Sequence, residues 1–219
     1  MSMSAPVATD PGWQSRLRNA PQQLRSQAKI EQAVDAADRL LSRGGANAVT
    51  TTRVAAEAGI AVGTIYRYFP DKEALFDALA ARCLARFESL MDALVEQSRT
   101  EKWADPVGML FDVYTDLYRT DASLRAIWFG GLLSENLRVA DRAHKRVMAQ
   151  GLRHILVAQD IASDAPELAT VCHAAMLASD AITQEAFRTS DSGDSALMAE
   201  AKTMLRSYVA SINERFTPA

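Results

Sequence analysis

Residues 50–76 run TTTRVAAEAGIAVGTIYRYFPDKEALF, and their punctuation predicts a short helix, a glycine turn, a second short helix and the first turns of a long one. Thr50, or Thr51 one residue on, supplies an N-cap. Val54, Ala55 and Ala58 form the apolar side of a helix that Gly59 ends in a left-handed conformation. Ile60 falls in the turn, where its side chain pins the two helices together. The second helix spans about Ala61 to Phe69, with Ile65 and Phe69 four apart and facing inward. Pro70 stops it, and Asp71 caps the helix that follows.

The other face of that second helix carries Val62, Gly63, Thr64, Arg67 and Tyr68, with Tyr66 at the rim. So short a helix without hydrophobic cover is marginal alone, so its neighbours must hold it. Two uses of the outward face stand on spacing alone. Held firmly, the helix can enter a DNA major groove with its N-terminal residues at the base edges. Otherwise the pair is an ordinary helical corner whose tyrosines and arginine are half-exposed packing residues.

The segment closely resembles the DNA-binding domain of the TetR family of one-component transcriptional regulators. The residues that carry the resemblance are Thr50, Val54-Ala55, Ala58-Gly59, the run Gly63-Thr64-Ile65-Tyr66-Arg67-Tyr68-Phe69, and Lys72-Glu73-Ala74-Leu75-Phe76. It extends over about Arg25 to Leu79; beyond that, only length and helical character agree with the family. Thr64 can offer its hydroxyl or methyl to a base edge, and Gly63 allows close backbone approach. Arg67, the only long cation on the helix, can read guanine or clamp a phosphate. By resemblance, one or both of Tyr66 and Tyr68 bond phosphates, and Lys72 sits at a helix N-terminus that also favours them. Thr52 and Arg53 are second-rank contacts. Val62 departs from the polar residue often found there in the family.

Composition agrees with a small nucleic-acid module on a larger body. The 219 residues are 48% apolar with a formal charge of -3, enough for a core and not the profile of a disordered chain. Residues 1–72 hold nine Lys/Arg against six Asp/Glu, a balance of +3, while the remainder balances at -6. A basic front and an acidic back suit a phosphate-binding module on a body that avoids phosphate. Cys83 and Cys172 lie in apolar helical stretches without Cys-x-x-Cys spacing, and read as buried thiols in a reducing compartment, a disulfide being the alternative. No apolar run reaches bilayer length and no signal peptide opens the chain, so the cytoplasm is the expected location.

Residues 1–23 read as a disordered arm. Between Trp13 and Lys29 there are four positive charges and no negative ones, two of them in Arg16-Leu17-Arg18. Such an arm either contacts DNA or is an inert tail. Residues 24–71 form the expected helix-turn-helix domain, with a core of Ile30, Val34, Ala37, Leu41, Val54, Ala58, Ile60, Ile65 and Phe69. The first helix spans about Ser26 to Ser42 and ends at Gly44-Gly45.

Residues 72–219 are expected to be a larger helical ligand-binding and dimerisation domain, making the whole chain all-α. A helix from Lys72 to about Gln97 either transmits a ligand signal, as in the resembled family, or simply braces two domains. Further helices are expected at Pro106 to about Tyr118, Ala122 to about Gly130, about Leu133 to Ala158, and to about Phe187 from a capping box of Asp164, Pro166 and Glu167. The last occupies roughly Ser195 to Phe216. Small or flexible residues such as Ala174, Ala178, Ala181, Met198 and Met204 on the final pair suit a four-helix contact in a homodimer, or else complete the monomer core.

Trp103, Met109, Phe111, Tyr114, Trp128, Phe129, His144, Met148 and Met176 suit a largely apolar ligand pocket with a few polar handles, though many of them serve equally as core. No cofactor is expected. His144 and His154 are ten residues apart rather than at metal-ligand spacing, and no phosphate loop or nucleophile motif occurs. The resemblance therefore implies a homodimer on a pseudo-palindromic operator in double-stranded DNA, released by a small, largely apolar effector. An activator, a repressor that needs its ligand, and a helical scaffold protein without specific DNA binding are the alternatives.

Overall fold

The computed structural model describes residues 24–188 and 190–217, and these are all-helical. The helices are α1 (Leu24–Gly44), α2 (Thr51–Ala58), α3 (Val62–Tyr68), α4 (Lys72–Thr100), α5 (Pro106–Thr120), α6 (Ala122–Phe129), α7 (Glu135–Ala158), α8 (Leu168–Arg188) and α9 (Ser195–Arg215), with a single 3-10 turn at Ala46–Ala48. The expected N-terminal arm, with Arg16-Leu17-Arg18, lies outside the described residues. The chain divides into two compact units, one ending at Ala85 and the other beginning at Arg86. That division falls inside α4 rather than at its start. Leu75, Phe76, Ala78 and Leu79 are buried, and Arg82 holds Asp35 and Asp38 of α1, so the first turns of α4 complete the first unit.

In the first unit the expected core forms around Ile30, Val34, Ala37, Leu41, Val54, Ile65 and Phe69, all buried. Ala58 and Ile60 are the exceptions, being only half-buried. Gly59 takes a left-handed φ of 66°, and the Ile60 N–H returns to the Ala55 carbonyl at 3.0 Å, which closes the turn at the surface. Ala33, Ala36, Val49 and Ala55 fill the interior instead. Thr50, not Thr51, is the cap: its side chain accepts the Arg53 N–H at 3.2 Å. Glu57 receives both Arg39 and Arg43 of α1, at 2.9 and 3.0 Å. The Arg39 hydrogen bond is the main reason its carboxyl titrates below the usual range.

In the second unit four helix starts are built from a short polar side chain. Asp105, Asp121, Ser134 and Asp194 accept backbone N–H groups of α5, α6, α7 and α9. Ser134 sets the first residue of α7 at Glu135, two residues later than the pattern suggested. The expected capping box before α8 does not form. Asp164 is drawn to Arg153 of α7, its Oδ1 accepting from Nε at 2.7 Å, and α8 starts at Leu168 after a turn at Pro166–Glu167. An ion pair to a neighbouring helix outcompetes the local cap.

Helix α8 packs against α7 and α9, and α5 packs against α6, α8 and α9. Phe111, Ala201 and Leu205 form a buried cluster there, with Val107, Ile182 and Met198 against it. Gly151 leaves room for Met91: a Cβ on it would lie 2.3 Å from Cγ of Met91, so any larger residue there must displace that side chain of α4. At the C-terminal end of α7, the Gln159 amide donates to the carbonyls of Ser98 and Glu101 at 2.8 and 2.7 Å. Cys83 and Cys172 are both buried, and no disulfide joins them.

Candidate nucleic-acid interface and effector pocket

Helix α3 is held by Ile65 and by Phe69 just beyond it, both 1% exposed. Everything else on it turns out. Val62 is 38% and Tyr66 52% exposed, Gly63 and Arg67 are exposed, and Thr64 and Tyr68 are half-buried. The Arg67 guanidinium sits 5.6 Å from the centroid of the Tyr68 ring, a cation–π contact that leaves its N–H edge available. The Thr51 hydroxyl donates to the Tyr66 oxygen at 3.0 Å, so the phenol keeps its own proton for an outside acceptor. A Cβ added to Gly63 would meet nothing within 4 Å. Nothing inside the unit requires glycine at that position.

Around the helix, Thr52 is exposed and Arg53 turns one guanidinium nitrogen toward the Ala48 carbonyl at 3.5 Å. Lys72 is exposed, 4.0 Å from Glu73. Asp71 already uses the Ala74 N–H at 2.8 Å, so Lys72 offers an outside anion its side chain more than the amides of its helix start. Arg53, Arg67 and Lys72 are the positive groups of a rim that also presents hydroxyls, an exposed backbone and the carboxylates of Asp71 and Glu73.

The second unit contains a cavity of about 90 Å³ open to the centres of water-sized molecules. One wall is the α4 stripe Phe87, Leu90, Met91 and Leu94. Residues of α5, α7, α8 and α9 supply the others, including Phe111, Tyr114, Met148, Met176 and Leu205. Its lining includes no charged side chain, and only Tyr114 and Ser179 bring side-chain hydroxyls. Ring contacts fix Tyr114: Phe87 lies 4.9 Å and Tyr118 5.7 Å away, centroid to centroid.

Behind that tyrosine lies a buried polar network. Tyr114 and Tyr118 both donate to Oδ1 of Asp180, at 2.9 and 3.4 Å. Oδ2 of Asp180 takes Lys145 at 2.8 Å and the Gln184 amide at the same distance. Lys145 also reaches Asp141 at 2.7 Å. Burial above all, then the neighbouring Tyr118 and Asp180, pushes the Tyr114 phenol well above its ordinary range, so it stays a donor. Burial alone would lower Lys145, but Asp180 and Asp141 outweigh it and hold the ammonium above its usual value.

Two family descriptions match the chain. Bacterial regulatory proteins of the tetR family match residues 33–79, and the tetracyclin repressor-like C-terminal domain matches residues 101–212. The chain belongs to the tetR family. An uncharacterized HTH-type transcriptional regulator of Haemophilus influenzae is 32% identical over 106 residues, 48% of each chain. The fatty acid metabolism regulator protein of Bacillus subtilis is 25% identical over 53% of this chain and 59% of its own. The chain thus spans about half the length of the curated relatives it matches. A TetR-family transcriptional regulator of Streptomyces coelicolor has a similar structure: TM-score 0.60 at 26% identity, over 84% of this chain and 99% of that one.

In this TetR-family chain, of the nine residues read from sequence as a DNA face, Val62, Gly63, Thr64, Tyr66, Arg67 and Tyr68 lie on α3, Thr52 and Arg53 on α2, and Lys72 opens α4. The pocket residues divide. Phe111, Tyr114, Met148 and Met176 line the cavity, and Trp103, Met109, Trp128, Phe129 and His144 do not. His144 is buried with Nδ1 3.0 Å from Glu88, Trp128 is buried on α6, and Phe129 stacks on Tyr118 with the Arg188 guanidinium 5.6 Å from its ring centroid. Trp103 is half-buried, its indole N–H without a hydrogen-bond partner among the described residues. The α4 wall was missed, although Phe87, Leu90, Met91 and Leu94 repeat at helical spacing; that signal reads equally as core.

Proposed function

We propose that this TetR-family chain is a transcriptional repressor that binds a pseudo-palindromic operator in double-stranded DNA as a homodimer and is released by a small, largely apolar effector. The observation that carries the DNA reading is α3 itself, anchored by Ile65 and Phe69 with Gly63, Thr64, Tyr66 and Arg67 turned outward. A glycine that its own unit does not need suits a backbone that must come close to something outside. The cavity in the second unit, apolar with two hydroxyls, supports the effector reading. Ala174, Leu177 and Ala181 form an exposed small and apolar stripe on α8, and Met204 is 42% exposed on α9, which supports pairing through these helices.

In this reading the two copies of α3 meet successive major grooves on one face of the duplex, about 34 Å apart. Effector occupancy favours a dimer of different spacing and lowers operator affinity by population shift. Helix α4 contributes to both ends of that linkage, with Leu75 and Leu79 in the first unit and Phe87 and Met91 in the cavity wall. The test is selection of bound duplexes from a random pool, repeated with apolar compounds present. Enrichment of an inverted repeat, lost with a subset of compounds, is the expected result. A monomer with no preference among duplexes overturns the proposal.

A further inference from the structure

The cavity's chemistry narrows what it can hold. Every side chain on its wall is apolar or, at Tyr114 and Ser179, a neutral hydroxyl. The basic groups beside Tyr114 and Phe87 are already engaged. Lys145 lies between Asp141 and Asp180, at 2.7 and 2.8 Å, so its charge is met twice over. The His144 ring, 5.9 Å from Phe87 of the wall, bonds Glu88 through Nδ1. Asp141, Asp180 and Glu88 thus put three carboxylates behind the hydroxyl end, with one ammonium among them. An anionic ligand group there would leave water, gain no cationic partner and meet a negative background. A neutral hydroxyl faces none of these costs, because a phenol already donating to Asp180 is a polarised acceptor for the next donor.

We infer that the cavity takes an uncharged apolar effector bearing a hydroxyl-type group and rejects the carboxylate of the same chain length. This rests on the reading of the cavity as an effector site, and deepens it by naming the ligand class. The anion is excluded because the basic groups described beside the wall are each already met by a carboxylate, Lys202 near Phe111 by Asp112 at 2.6 Å included, and not by shape. A matched pair of ligands separates the two causes.

The test uses the full chain and titrates octanol and octanoate at neutral pH, read by thermal shift and by intrinsic fluorescence. Octanol is expected to bind at least about tenfold more tightly, the scale of leaving one buried polar group unpaired. Asp180→Asn keeps the shape and removes one negative charge, and Glu88→Gln does the same beside His144. At least one of them narrows the ratio. Octanoate binding as well as octanol overturns the inference and leaves the effector site standing. A ratio unchanged in every folded variant removes the carboxylate network from it. If neither probe binds while other apolar compounds release the protein from DNA, the ligand class is wrong. If no compound binds or alters DNA affinity, the effector site itself is lost.

Discussion

A side chain at Gly63 would find open space on every side, yet the chain keeps glycine inside a helix, where it is less favourable than alanine by about 0.5–1 kcal/mol. Gly63→Ala is therefore expected to raise the melting temperature while weakening operator binding; a variant that gains stability and binds DNA as before removes the close-approach role. Arg67→Ala should cost about 1–3 kcal/mol on the selected operator if Arg67 reads a base. Equal loss on specific and random duplex, compared by gel shift, would assign it to phosphate alone. Which way these residues face was legible, because Ile65 and Phe69 four apart set the buried side of α3. The hydroxyl bond from Thr51 to Tyr66 was not, since it depends on how α2 and α3 cross. His144 misled for a related reason: a polar residue among aromatics suits a pocket or a buried ion pair equally well, and its partner Glu88 lies on another helix.

Helix starts were readable at the local caps Asp105-Pro106 and Thr50, two residues off at Ser134, and unreadable at Asp164, where Arg153 from another helix takes the carboxylate. Asp105 serves two purposes, capping α5 through the Gly108 N–H and pairing with Arg206 of α9. The Arg206 hydrogen bond, then that of Gly108, lowers its pKa below the ordinary carboxylate value. Its contribution is thus present above the unfolded value of about 4 and is lost as pH falls through the lower folded value. Asp105→Asn should melt lower than the parent at neutral pH, and the gap should close below about pH 4, as followed by circular dichroism. Gly151→Ala forces its methyl into Met91, a wall residue of the cavity. It should destabilise by about 1–3 kcal/mol and weaken effector binding together. Loss of stability with unchanged ligand affinity would show that the wall repacks around the methyl.

The chain as a whole carries its charge unevenly, +3 over residues 1–72 and -6 over the rest, and its candidate pairing surface lies on its last two helices, α8 and α9. Leu177, 45% exposed between Ala174 and Ala181, is the residue on which pairing should depend. Leu177→Glu is expected to shift sedimentation from dimer to monomer and to lower operator affinity, because two half-sites are then bound separately. Overall architecture was legible since apolar periodicity and caps recur along the chain. The cavity was only half legible: a stripe lining a void has the same spacing as one filling a core. The two cysteines carry a practical consequence. Cys83 is buried, and burial pushes the Cys172 thiol up to about 11, so slow maleimide labelling of both is the expected outcome in the native state. One cysteine engineered at exposed Thr52 would therefore take a fluorophore alone, and energy transfer between labelled copies would gauge how far apart the reading heads stand as effector is added.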